Sequence, residues 1–123
     1  MILADSNIVI YAAKGTYPEL HDFVRDEAPV FSAVTYVETL GYHAIGHAEK
    51  LYLEKFFAAA RVLPITEQVV EEAVRLRQIR KMALGDAFIA GTALVNGFRL
   101  ARRNVQHFRW IPGLDVVDPI ISK

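Results

Sequence analysis

The chain has 123 residues, 53% of them apolar, with 14 basic and 14 acidic side chains and no cysteine. That length fits one domain, whose core can bury roughly two-thirds of the surface exposed by the unfolded chain. Zero net charge argues against a bulk polyanion binder, and the lack of cysteine excludes disulfides, thiolate zinc sites and cysteine nucleophiles.

Met1 to Ala4 is a short apolar run with no basic leader before it and no membrane-spanning length, so a cytoplasmic protein without membrane contact is expected. Asp5 stops the run, and Ser6 and Asn7 supply capping side chains for a helix over Ile8–Ala13. Pro18 opens a second helix through Leu20, Phe23 and Val24, closed near Pro29, and Val30-Phe31 is a second strand. Ser32 then caps a helix in which Ala33, Val37, Leu40 and Ala44 form one apolar stripe, predicted to face the core. Glu38 lies about 100° round from Val37, at the edge of that stripe. The helix over His47–Ala60 carries Leu51, Tyr52, Phe56 and Phe57 on more than one face, an apolar excess that marks a candidate oligomer surface. Val62–Ile65 reads as a third strand, and Thr66 caps a helix to about Met82. Asp86 begins the next helix, which Asn96-Gly97 ends. Phe98–Ala101 is a fourth strand and Asp115–Val117 a short fifth.

Short strands divided by helices predict an α/β fold of three layers, with a short, mainly parallel sheet flanked by helices, in a single domain over residues 1–123. In such a sheet ligands gather outside the carboxyl ends of the strands. Asp5 follows the first strand and Arg102-Arg103-Asn104 follow the fourth, while Glu38 and Asp86 lie in the first or second turn of their helices. Positions far apart in sequence are thus expected to meet in one cleft.

Asp5 alone could be an N-cap, Asp86 alone a complement to a helix dipole, and Asn104 alone a turn residue. Together, the acids are hard oxygen ligands of the kind that suit Mg²⁺ or Mn²⁺. Between Arg75 and Arg109 there are eight basic residues against the single acid Asp86, a basic surround that can hold phosphates. No glycine-rich phosphate loop and no Ser/His/Asp order suggests another hydrolytic mechanism.

Leu3-Ala4-Asp5-Ser6-Asn7-Ile8 resembles the opening of the PIN-domain ribonucleases, and Ser32-Ala33-Val34-Thr35-Tyr36-Val37-Glu38-Thr39-Leu40 resembles their S-x-x-T-x-x-E-L helix. Gly85-Asp86-Ala87-Phe88-Ile89-Ala90 is similar to their D-A-x-I-A helix. Arg102-Arg103-Asn104 through Phe108, followed by Pro112-Gly113-Leu114, is similar to a stretch of the VapC-type toxins in which a threonine precedes R-N and an acid commonly stands where this chain has His107. The resemblance implies a metal-dependent endoribonuclease, the toxin of a toxin–antitoxin pair, with Asp5, Asp86 and Glu38 holding Mg²⁺ or Mn²⁺ and Asn104 beside them. It further implies an RNA substrate met at the rim by Arg102, Arg103 or Arg80, a cognate antitoxin protein, and a homodimer. Two other readings stay open: a catalytically degenerate PIN-like module that binds RNA or protein, favoured by His107, and a phosphatase or nucleotide-binding protein of flavodoxin-like topology.

Overall fold

Ile2, Leu3 and Ala4 form β1 (Ile2–Ala4), buried throughout, as befits a parallel strand covered by helices on both faces. In the computed structural model residues 1–120 are described; the last three residues of the expected 1–123 domain lie outside them. β1 pairs in parallel with β4 (Arg99–Ala101), and β4 with β5 (Val116–Val117). β2 (Phe31–Ser32) pairs in parallel with β3 (Val62–Leu63). A bridge between Leu3 and Val30 sets β2 beside β1, with the Val30 N–H donating to the Ile2 carbonyl at 2.9 Å and the Ala4 N–H to the Val30 carbonyl at 3.0 Å. The resulting order, β3-β2-β1-β4-β5, runs outward in two directions from the β1/β4 pair, and a crevice at such a reversal is where open α/β sheets bind ligands.

Among the described residues six α-helices fill the connections, α1 (Ser6–Lys14), α2 (Glu19–Glu27), α3 (Ala33–Leu40), α4 (His47–Ala58), α5 (Glu67–Ile79) and α6 (Leu84–Asn96), with a 3₁₀ turn over Val105–Phe108. Successive strand residues point to opposite faces, and two cores form accordingly. Leu3, Val30, Leu63 and Leu100 join Leu76, Ile89 and Phe108 on one side. Ala4 and Phe31 join Ile8, Val9, Leu53 and Phe57 on the other. This is the expected three-layer α/β architecture. Among the described residues no helix is long and apolar enough to cross a membrane.

Three expectations about the helices need correction. The stripe through Val37 does not face the core: Val37 is 66% exposed, and the buried residues of α3 are Thr35 and Thr39. Inward hydroxyls are tolerated because they are hydrogen-bonded, Thr39 Oγ1 donating to the Thr35 carbonyl at 2.8 Å and Thr35 Oγ1 lying 3.3 Å from Ser6 Oγ. α3 also stops at Leu40, before Ala44. The apolar excess of α4 is divided: Phe57 is buried, Tyr52 and Phe56 are half-buried, with Phe56 and Phe57 edge-on to Phe31 at ring separations of 5.3 and 5.7 Å, and Leu51 stays exposed. Exposed apolar side chains also stand at Tyr36, Val37, Tyr42 and Leu51, and at Val70, Val74, Ile79 and Leu84. Finally, α5 ends at Ile79 and α6 begins at Leu84, which puts Asp86 inside the first turn of α6.

Candidate active site

The β1 ladder runs one residue past the strand, because the Asp5 N–H donates to the Ala101 carbonyl at 2.9 Å. That bond pins Asp5 against the end of β4. Asp5, not Ser6 or Asn7, is the N-cap of α1: its backbone is extended and its Oδ1 accepts from the Ser6 N–H at 2.8 Å. Capping uses one carboxylate oxygen and leaves the other for a cation. Ser6 is then free for a different task, and its Oγ donates to Glu38 Oε1 at 2.6 Å. A hydroxyl at the start of α1 thereby holds a carboxylate on α3 beside Asp5. Opposite Glu38 stands Gly85, where a Cβ would collide with Glu38 Oε2. The residue before Asp86 is therefore glycine for lack of room, and its absent side chain lets α6 bring Asp86 close to Glu38.

The cation in this cluster is Arg102, which leaves the end of β4 with its N–H donating to the Val117 carbonyl at 2.9 Å. Its Nη1 lies 3.4 Å from Asp5 Oδ2 and 3.5 Å from Asp86 Oδ1. The guanidinium sits over the buried Phe108 ring at 4.3 Å, and its Nε is buried with no hydrogen-bond partner among the described residues. Arg102 is 5% exposed and Asp5 4%. Burial pushes the Asp5 carboxyl above its ordinary value against the lowering pull of Arg102 and the Ser6 N–H, and the negative Asp86 and Glu38 push it further.

The expected rim arginines are thus placed otherwise. Arg102 points inward, into the acid cluster. Arg103 reaches both oxygens of Asp118 through Nη1, at 3.2 and 3.0 Å, and lies over Tyr17 at 5.0 Å. Alternation along the strand explains the split, since Arg102 falls on the face of Leu100 and Phe108 and Arg103 on the opposite one. Asn104 is exposed, and its Nδ2 donates to His107 Nε2 at 3.2 Å; it makes no hydrogen bond to the three acids. Sequence reasoning passed over Ser6, Gly85 and Phe108 as parts of the site. A signal existed for Ser6 and Gly85, since each is a small residue next to an acid. The basic surround is supplied elsewhere: a groove of about 740 Å³ has Asp86 and His107 on its walls together with Arg77, Arg80, Lys81 and Trp110. Arg80 lies 5.0 Å from the Trp110 ring centre, and Arg77 Nε donates to the Met82 carbonyl at 3.2 Å.

The donor set suits a hard divalent ion in type, being three carboxylates with small polar supports. It suits one in charge too, because three carboxyl groups outnumber the one guanidinium. As placed, no group of three or more His, Asp or Glu among the described residues closes tightly enough to hold an ion; Arg102 lies between Asp5 and Asp86, and Glu38 is held by Ser6.

Comparison with known proteins fixes the family. The PIN domain family model matches residues 2–111. The chain belongs to the PIN-domain family. Ribonuclease VapC10 of Mycobacterium tuberculosis is 33% identical to it over 116 residues, covering 88% of this chain and 86% of the relative. A toxin–antitoxin complex from Klebsiella pneumoniae contains a chain that is 29% identical and superimposes with a TM-score of 0.79, over 97% of this chain and 98% of the other. The DNA-bound VapBC of Salmonella typhimurium, at 20% identity, shares the fold with a TM-score of 0.83, over 96% of this chain and 97% of that one. In this PIN domain the ends of β1 and β4, which carry Asp5 and Arg102, form the switch point.

Proposed function

We propose that this PIN domain, read as one unit over residues 1–123, is a divalent-metal-dependent endoribonuclease and the toxin of a VapBC-type toxin–antitoxin pair. The observation that carries the reading is that Asp5 and Asp86 flank one guanidinium nitrogen at the β1/β4 switch point while Ser6 holds Glu38 next to Asp5, in a chain 33% identical to a VapC ribonuclease. Asp5 and Asp86 would hold Mg²⁺ or Mn²⁺ directly, with Glu38 oriented by Ser6 as a third oxygen donor. When bound, such an ion supplies charge that acidifies a water and offsets the negative charge growing on the phosphate.

The chain's own residues do the rest. Asp5 is held rigidly by its capping bond, and Glu38 is aimed by Ser6 and by the space at Gly85. The Arg77, Arg80 and Lys81 side chains line the groove that starts at Asp86, where they can meet the phosphates flanking the cut. Trp110 in the same groove offers a face to an unstacked base. This groove takes over the role first given to Arg102 and Arg103. The antitoxin, a second copy of the chain and a cytoplasmic setting complete the reading, and the exposed apolar residues around Tyr36, Val37, Tyr42 and Leu51 give a protein partner something to cover.

The test is cleavage of RNA by the full chain with Mg²⁺ or Mn²⁺. Asp5→Asn or Asp86→Asn should lower cleavage by roughly 10²-fold or more while the circular dichroism spectrum is kept. Cleavage undiminished by both substitutions, or by excess EDTA, overturns the proposal. The degenerate-module reading is favoured by His107 and by the guanidinium lodged among the acids; it requires that Mn²⁺ titration show no saturable binding.

A further inference from the structure

We propose that Arg102 is a resident cation holding the place of a divalent ion between Asp5 and Asp86, so that metal uptake by this chain is a displacement in which the guanidinium withdraws. The inference rests on the metal-dependent reading above. It deepens that reading by making Arg102 the residue that sets metal affinity.

Two ordinary roles for a buried arginine can be compared with what is seen. A structural arginine makes short, charge-assisted contacts near 2.7–2.9 Å and uses its fork of donors fully. Arg102 does neither: one nitrogen, Nη1, stands 3.4 and 3.5 Å from two different carboxylates, and Nε is buried with no partner among the described residues. A substrate-binding arginine stands in the open, whereas the Arg102 side chain is 7% exposed. What remains is a cation seated loosely at the focus of the acid cluster, held by the Phe108 ring and by the backbone at the end of β4. One positive charge offsets only part of three negative ones, and a divalent ion at the same focus offsets more. Asp86 and Phe108, which the guanidinium approaches, both border the groove.

Competition between a fixed monovalent group and an incoming ion lowers the ion's apparent affinity, and removing the competitor restores it. Calorimetric titration of the full chain with Mn²⁺ should give a dissociation constant at least tenfold smaller for Arg102→Met than for the natural chain, about 1.4 kcal/mol. Arg102→Gln, which keeps polarity without charge, should behave the same way. Equal or weaker Mn²⁺ binding by both variants overturns the proposal. A second measurement needs no folded variant: the Arg102 Nε–H resonance of the natural chain, followed by NMR, should shift on adding Mg²⁺ with the midpoint of ion binding. A resonance unmoved at saturating Mg²⁺ also overturns it. If the natural chain binds Mn²⁺ and cuts RNA but Arg102→Met binds no tighter, only the displacement fails. If no form binds Mn²⁺, the metal-dependent function fails with it.

Discussion

Arg102 and Arg103 are neighbours with the same side chain at the end of one strand, yet they enter opposite faces of the sheet and different kinds of electrostatics. Arg103 meets one acid, Asp118, with both carboxylate oxygens in reach at 3.2 and 3.0 Å, and Asp118 Oδ1 also accepts from the Ile120 N–H at 2.9 Å. Its charges are balanced locally. Arg102 is shared among acids that outnumber it, at longer range and with an idle donor. Balanced pairs fasten a fold, whereas a surplus of buried charge is what a site can use to draw in an ion.

The largest effect should separate the two arginines by how their loss responds to metal. Arg103→Met removes the guanidinium from the buried Asp118 and should lower unfolding stability by roughly 1–3 kcal/mol, with or without Mg²⁺. Arg102→Met should also destabilise in EDTA, since three acids then face each other without a cation, but that loss should be recovered as Mg²⁺ is added, by about 2.7 kcal/mol at a hundredfold excess over the dissociation constant. Urea unfolding in EDTA and in Mg²⁺ measures both. Mg²⁺ rescue of the Arg103 variant, or none of the Arg102 variant, would erase the distinction.

A smaller effect isolates geometry from stability. In Gly85→Ala the new methyl meets only the far end of the Glu38 side chain, which can swing aside, so folding should change by less than about 1 kcal/mol and in the stabilising direction for a helix. Glu38 then leaves its place beside Ser6, and RNA cleavage should fall on the order of tenfold, about 1.4 kcal/mol. Loss of activity matched by loss of the folded state would mean that Gly85 serves packing instead.

Much of the fold and the site is legible in sequence. Alternating strand and helix signals, the stop at Gly97 and the acids at strand ends and helix starts depend on local chemistry, which a sequence displays directly. Two things are hidden. The inward face of α3 carries Thr35 and Thr39, whose hydroxyls are satisfied by Ser6 of α1 and by the helix's own Thr35 carbonyl, and a reading that seeks apolar residues turns Val37 inward instead. Arg102 is expected at the rim because a positive charge near a phosphate-cutting site suggests substrate. The period-2 alternation from Leu100 already assigns it to the side of Phe108, and here periodicity is the better guide than charge.

The smallest effect tests the surplus charge itself through pH. Burial is the chief cause of the raised Asp5 pKa, so the folded chain binds that proton more tightly than the unfolded chain, whose value is near 3.8. Between 3.8 and the raised value the folded state carries more protons, and stability from this group falls as pH rises. Above the window the ionised carboxylate subtracts a constant amount. Asp5→Asn keeps the capping oxygen and cannot titrate. In EDTA its stability relative to the natural chain should therefore climb with pH from about 4 and then level off. Urea midpoints taken at intervals to neutral pH measure the climb, and Mg²⁺ should reverse it because only the natural chain gains from the ion. A relative stability that declines with pH would mean that Arg102 already balances Asp5, which would make the two arginines alike after all.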